Sequence, residues 1–218
     1  MHNLHSHTTL SDGELAPMEL MRRFAAAGYA TIGVTDHVGA GGMERIISEV
    51  AEDAQVASRG FGIVVLPGVE LTHIPPSEVA RLARRARAAG AKIVVVHGET
   101  LVEPTAPGTN IAAAACSDVD ILAHPGLIDR EVARAARENG VYLEVSARKG
   151  HCLTNGHVAR IARDEGAPLI FGLDAHGPGD IVTADMRDRL LLGAGLDCSE
   201  AEAAAVGAPL MLRARAGL

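Results

Sequence analysis

His5 and His7 stand two residues apart near the start of the chain, and Asp174 and His176 repeat that spacing near its far end. Residues at i and i+2 of an extended strand point to the same side, so each pair can grip one ion without help from a helix. Between them the chain offers Asp12, the doublet Asp36-His37, Glu70, His97 and His124. Imidazole nitrogen and carboxylate oxygen together suit zinc, manganese or iron. A carboxylate can bridge two ions where a neutral imidazole cannot, which makes Glu70 the candidate bridge. Ions held about 3.5–4 Å apart in this way generate a hydroxide nucleophile near neutral pH. Hydrolysis is the chemistry such a set would perform.

Residues so far apart in sequence meet only if the fold gathers them. Apolar, β-rich runs at 3–5, 30–35, 62–69, 92–96, 119–123, 141–145 and 168–173 alternate with helical patterns. Several, IVVV among them, are continuously apolar rather than alternating, the mark of strands buried on both faces. The segments 77–89, 129–139 and 155–165 read as helices, with Asp129 as an N-cap and Gly90, Gly140 and Gly166 as stops. Pro17 suits the first turn of a helix running to Ala27-Gly28. Seven strand-then-helix units point to a TIM-like (β/α)7 barrel, with an open doubly wound sheet as the alternative. The chain reads as one domain, 1–218, with the barrel over about 1–180 and a short C-terminal helical appendage over about 181–218. One appendage helix is expected at 184–192, another after a capping box at Ser199 and Glu202.

Set on this frame, ligand-capable residues fall at or just after six of seven strand ends. Parallel β/α folds collect their active sites on that face. A lone histidine at a strand end is usually a satisfied loop or core residue, but accident would scatter histidines over helices too, and only His157 clearly lies in one. Asp36 can equally orient a neighbour rather than bind an ion. The sixth strand lacks a histidine at its end and is followed instead by Arg148-Lys149-Gly150-His151.

The net charge of −7 argues against an extended basic surface for long nucleic acid, and an aromatic content of 2 % offers no stacking platform. Three widely spaced cysteines, Cys116, Cys152 and Cys198, make neither a disulfide framework nor a zinc knuckle. No apolar stretch is long enough to span a bilayer, none resembles a secretory segment, and a cytoplasmic location is the expectation.

The stretch His5-Ser6-His7-Thr8-Thr9-Leu10-Ser11-Asp12-Gly13 resembles the opening H-x-H-T-x-x-S-D-G motif of the polymerase and histidinol phosphatase (PHP) family. Thr35-Asp36-His37, Gly68-Val69-Glu70, His97-Gly98, Ala123-His124-Pro125 and Asp174-Ala175-His176 match its later motifs in order, so the resemblance runs from about residue 3 to 177. It implies a distorted seven-stranded (β/α) barrel and a site for two or three divalent ions, zinc, manganese or iron. On the family pattern one ion takes His5, His7, Glu70 and Asp174, a second Glu70, His97 and His124, and a third Asp12, His37 and His176. All nine positions are filled here, with Asp12 where certain members carry His.

Family chemistry implies attack of a metal-bridging hydroxide on a phosphate ester. A small-molecule monoester such as histidinol phosphate, a sugar phosphate or a nucleotide is the expected substrate. Arg148, Lys149, His151 and Glu99 are candidates to bind it, Arg148 for its forked contact with phosphate. Arg148 and His73 are the catalytic candidates beyond the ions, and a solvated basic turn is the bland reading of 148–151. The glycine-rich 39–42 stretch reads as a mobile pocket edge. A nuclease or phosphodiesterase, and a metal-bound regulatory module without catalysis, are the competing functions.

Overall fold

Continuous apolar runs become parallel strands covered on both faces. The computed structural model describes residues 1–218. In it β1 (His2–Asn3) and β2 (Thr31–Val34) begin a parallel sheet, and β3 (His37–Val38) resumes the line of β2 beyond Thr35-Asp36. The sheet continues through β4 (Val64–Leu71), β5 (Ile93–His97), β6 (Ile121–Ala123), β7 (Tyr142–Ser146) and β8 (Leu169–Gly172). Because β2 and β3 share one place beside β4, seven strand positions surround the barrel.

The first and last strands close the ring, as a barrel requires. Ser6 bridges Ala175, and the His7 N–H donates to the Ala175 carbonyl at 2.8 Å. Asn3 replaces further ladder bonds with its buried side chain. Its amide oxygen accepts from Leu173 N–H at 2.9 Å, and its amide nitrogen donates to the His5 carbonyl at 3.0 Å. The strand expected at 3–5 is therefore only His2–Asn3, since a side chain serves where backbone pairing would have continued.

Helices begin and end where local chemistry dictates. Pro17 opens α1 (Pro17–Ala26). α2 (Met43–Phe61) lies between left-handed Gly42 and Gly62, and no residue of the 39–42 stretch lines the main cavity, so its reading as a pocket edge is corrected to a helix entry. A 3-10 turn at Pro76–Glu78 precedes α3 (Val79–Ala88), and α4 (Thr109–Ala114) is short. Asp129 caps α5 (Arg130–Asn139) by accepting from Val132 N–H at 2.9 Å, and α6 (Asn155–Glu165) ends at Gly166 as expected.

The C-terminal segment does more than trail the barrel. It runs through α7 (Ala184–Gly193), α8 (Cys198–Glu202), a π-helical stretch at Ala203–Gly207, and α9 (Ala208–Arg215). The capping box falls two residues earlier than expected. Asp197 accepts from Ser199 and Glu200 N–H, both at 2.9 Å, while Glu200 accepts from Asp197 N–H at 2.8 Å. Buried Ala208 and Leu212 of α9 join Leu4, Leu66, Ile93, Ile121 and Ile170 in the core inside the barrel. A larger cluster, including Val65, Val94, Leu122, Leu143 and Phe171, fills the layer between strands and helices. With α9 plugging one end of a small aliphatic interior, the other end is left for polar side chains.

Candidate metal centre

Those polar side chains stand at the strand ends. His97 is the last residue of β5, His124 and Asp174 follow β6 and β8 directly or within two residues, and Glu70 lies near the end of β4. All nine sequence-predicted ligand residues come together. His7, Asp12, His37 and His176 form one group, His5, His7 and Asp174 a second, and Glu70, His97 and His124 a third. Within each group the donor atoms lie within 4.8 Å of one another.

Glu70 sits at the centre. Its Oε2 lies 3.3 Å from His5 Nε2, 3.4 Å from His7 Nε2 and 2.8 Å from His37 Nδ1, while Oε1 lies 3.5 Å from His124 Nε2. Asp174 Oδ1 lies 3.1 Å from His7 Nε2 and 3.5 Å from His5 Nε2. Asp12 Oδ1 stands between His176 Nε2 at 3.3 Å and His37 Nε2 at 3.5 Å. His124 and Asp174 reach their places with φ of 29° and 50°, and His73 nearby has 51°. Left-handed backbone at non-glycine residues costs about 1–3 kcal/mol each and collects at functional sites.

Close packing has not satisfied these groups. Both Glu70 oxygens, both ring nitrogens of His7, His5 Nε2, His124 Nδ1 and Asp174 Oδ1 are buried without a hydrogen-bond partner. Each such atom costs about 1–3 kcal/mol. Five of them, the Glu70 oxygens, His5 Nε2, His7 Nε2 and Asp174 Oδ1, face one another as a cradle for cations, and the nitrogen and oxygen donors fit divalent ions such as zinc or manganese.

The electrostatics of the cluster have the same origin. Burial opposes ionisation of Glu70, but His5, His37 and His124 around it hold its carboxyl well below the usual range. Asp174 is likewise held well below, with His5 and His7 overcoming its burial. Burial works against a charged His5, yet Glu144, Asp174 and Glu70 together raise its pKa well above the ordinary value. At His7 burial prevails over Asp174 and takes the pKa down to about 4.

The mouth of the barrel holds a cavity of about 410 Å3 lined by 12 residues, none of them hydrophobic. Arg148, His151 and His73 line it. Arg148 is tied to the centre by donation from Nη1 to the Asp174 carbonyl at 3.2 Å, with Nε 3.5 Å from Asp174 Oδ2. His151 Nδ1 pairs with Thr100 Oγ1 at 2.6 Å, which turns Nε2 towards Asp174 and Glu103 at 3.7 and 3.5 Å. Burial, assisted by His124, brings the His151 pKa down to about 4.

Two candidates are placed elsewhere. Lys149 is exposed and outside the cavity lining. Glu99 accepts from Gly108 and Asn110 N–H at 3.1 and 2.9 Å, so its carboxylate serves the start of α4 rather than the cavity. Asp36 takes the orienting role. It accepts from Thr8 N–H, Thr8 Oγ1 and Ser11 Oγ at 2.7–2.8 Å, pinning the loop that follows His7.

Sequence reasoning missed two carboxylates here. Glu103 lines the cavity, 3.0 Å from His97 Nε2; it lies in an irregular loop that no spacing rule could place. Glu144, inside β7, lies 2.7 Å from His5 Nδ1. Its signal was a charged residue within an otherwise buried strand.

A parallel α/β barrel with a histidine–carboxylate cluster at its strand ends is thus the class that fold and site define. A profile of the PHP domain matches residues 3–105. An uncharacterized protein of Methanocaldococcus jannaschii is 43% identical over 201 residues, 92% of each chain. The chain belongs to the PHP domain family. A 5'-3' exoribonuclease of Haemophilus influenzae is 34% identical over 71 residues, which is 33% of this chain and 23% of that protein. Among solved structures, a chain in archaeal ribonuclease P with mature tRNA superposes with a TM-score of 0.71 at 16% identity, over 98% of this chain and 89% of that one. Histidinol phosphate phosphatase from Lactococcus lactis, solved with zinc, L-histidinol and phosphate, gives 0.59 at 14% identity, over 100% and 94%. At such identities the likeness is one of fold.

No helix is long and apolar enough to cross a membrane.

Proposed function

We propose that this protein is a metal-dependent phosphatase acting on a small-molecule phosphate monoester. The observation that carries the reading is the set of buried, unpartnered nitrogen and oxygen atoms converging beside Arg148 at the floor of a cavity lined by polar residues alone. His5, His7, Glu70 and Asp174 would hold one ion, Glu70, His97 and His124 a second, and Asp12, His37 and His176 a third. Bound there, divalent ions supply Lewis-acid charge to phosphoryl oxygens and lower the pKa of water.

The rest falls to side chains. Arg148 gives the phosphoryl group a forked, permanently charged donor already anchored to Asp174. His151, fixed through Thr100, presents Nε2 to the same space. His73, which lines the cavity, would pass a proton to the departing alkoxide. A cavity of about 410 Å3 is in the range of small-molecule sites, and no Phe, Tyr or Trp lines it for stacking bases.

Metal-loaded protein assayed on a panel of mono- and bis-esters tests this. Monoesters should be hydrolysed, and Arg148→Ala should lower kcat/KM about 10- to 100-fold, the worth of one charged hydrogen-bond contact. Lys149→Ala should change it little. Absence of turnover with ions bound would overturn the reading. Faster hydrolysis of bis-esters would favour a phosphodiesterase or nuclease, the second reading, which the partial likeness to an exoribonuclease supports.

A further inference from the structure

Strand β7 contributes none of the nine proposed ligands, yet it sends a carboxylate into the barrel interior. Glu144 is 1 % exposed. A carboxyl group so deeply buried is costly unless its oxygens are hydrogen-bonded, and both are used. Oε1 lies 2.7 Å from His5 Nδ1, and Oε2 accepts the backbone N–H of His124 at 2.9 Å. Room for it comes from β8, where a Cβ on Gly172 would fall 1.9 Å from Glu144 Oε1.

We infer that Glu144 is a positioning residue for the metal centre, setting the tautomer of His5 and the backbone of His124 together. The inference rests on the metal-centre reading given above. A carboxylate facing Nδ1 requires that nitrogen to carry hydrogen, so in the neutral ring that would bind an ion the lone pair of His5 belongs to Nε2. That atom is the one without a hydrogen-bond partner, and it faces Glu70 Oε2 at 3.3 Å and Asp174 Oδ1 at 3.5 Å. At His124 the held group is the N–H of a residue at φ 29°, whose ring is thereby directed towards Glu70 Oε1 at 3.5 Å. One side chain on β7 therefore fixes two proposed ligands, one beyond β1 and one beyond β6. With both oxygens engaged, Glu144 is a support rather than a further ligand.

Glu144→Gln separates these statements because it preserves shape. Its amide oxygen can take the place of only one carboxylate oxygen, so the NH2 group, a donor, meets either His5 Nδ1–H or the His124 N–H and one of the two bonds is lost. Zinc affinity, measured by competition with a chromophoric chelator at pH 7, should fall about 10- to 100-fold at the tightest site. In the zinc-loaded protein the His5 Nδ1–H proton should resonate far downfield, and the variant should shift it upfield or lose it. The proton signal would not respond to a merely structural role. Wild-type protein holding zinc, together with a variant of equal affinity and an unmoved His5 proton, would overturn the inference alone. Wild-type protein that takes up no zinc would overturn the metal-centre reading and the inference with it.

Discussion

A single methyl group placed at Gly172 should unsettle the centre from behind. Gly172 ends β8 opposite Ser146 of β7, and a Cβ built there would lie 1.9 Å from Glu144 Oε1, 2.8 Å from Cδ and 3.2 Å from Cγ. No rotation of a flexible tip can relieve this, because Glu144 is anchored at both oxygens inside a filled barrel. Overpacking costs about 1–3 kcal/mol, and each charged hydrogen bond lost from Glu144 adds about 1.5–3 kcal/mol. Gly172→Ala should therefore destabilise the protein by about 4 kcal/mol or more, which for a chain of this size lowers Tm by roughly 10 °C. Gly193→Ala is the control. That glycine lies in α7 with nothing within 4 Å of its Cβ position, so the change should be neutral or stabilising by about 0.5–1 kcal/mol. Urea unfolding of the two ion-free variants measures both. A Gly172→Ala protein within about 0.5 kcal/mol of wild type would refute the packing of Glu144 against β8.

Two further outcomes are expected. Stripping ions with a chelator should lower the melting temperature, since occupancy at 1,000 times Kd is worth about 4 kcal/mol, or roughly 8–16 °C here; a melt indifferent to zinc would contradict a built site. Alkaline stability should depend on Tyr29, whose hydroxyl donates to the Val182 carbonyl and whose pKa burial pushes up to about 12. Because the folded value exceeds the unfolded one of about 10, this stabilisation is whole below pH 10 and lost as pH rises through 12. Tyr29→Phe should escape up to about 3 kcal/mol of that loss, and parallel decline of both proteins from pH 9 to 12 would disprove it.

The ligand residues were legible because two facts about them are local: side-chain type, and position at the end of an apolar run. His5 with His7, and Asp174 with His176, could be read from a spacing of two alone. What depends on distant partners was hidden. Glu99 shares a spacing of two with His97, but β5 stops at His97 and the next carboxylate turns to the N–H groups of α4. Glu144 sits two residues from Tyr142, in phase with the interior, although nothing in its neighbourhood says that His5, 139 residues away, will meet it. The stripe Ala204, Ala208 and Leu212 marks a helical face to be buried. Its destination, the open end of the barrel, follows only from the assembled fold.

Anomalous diffraction from crystals grown with zinc tests most directly whether distant imidazoles and carboxylates form one metal centre. Two or three peaks should appear at the mouth of the barrel, among His5, His7, Glu70 and Asp174 and their neighbours, at roughly 2.0–2.3 Å from nitrogen and oxygen donors. A map without peaks there, or with zinc bound only at remote surface residues, would contradict the account.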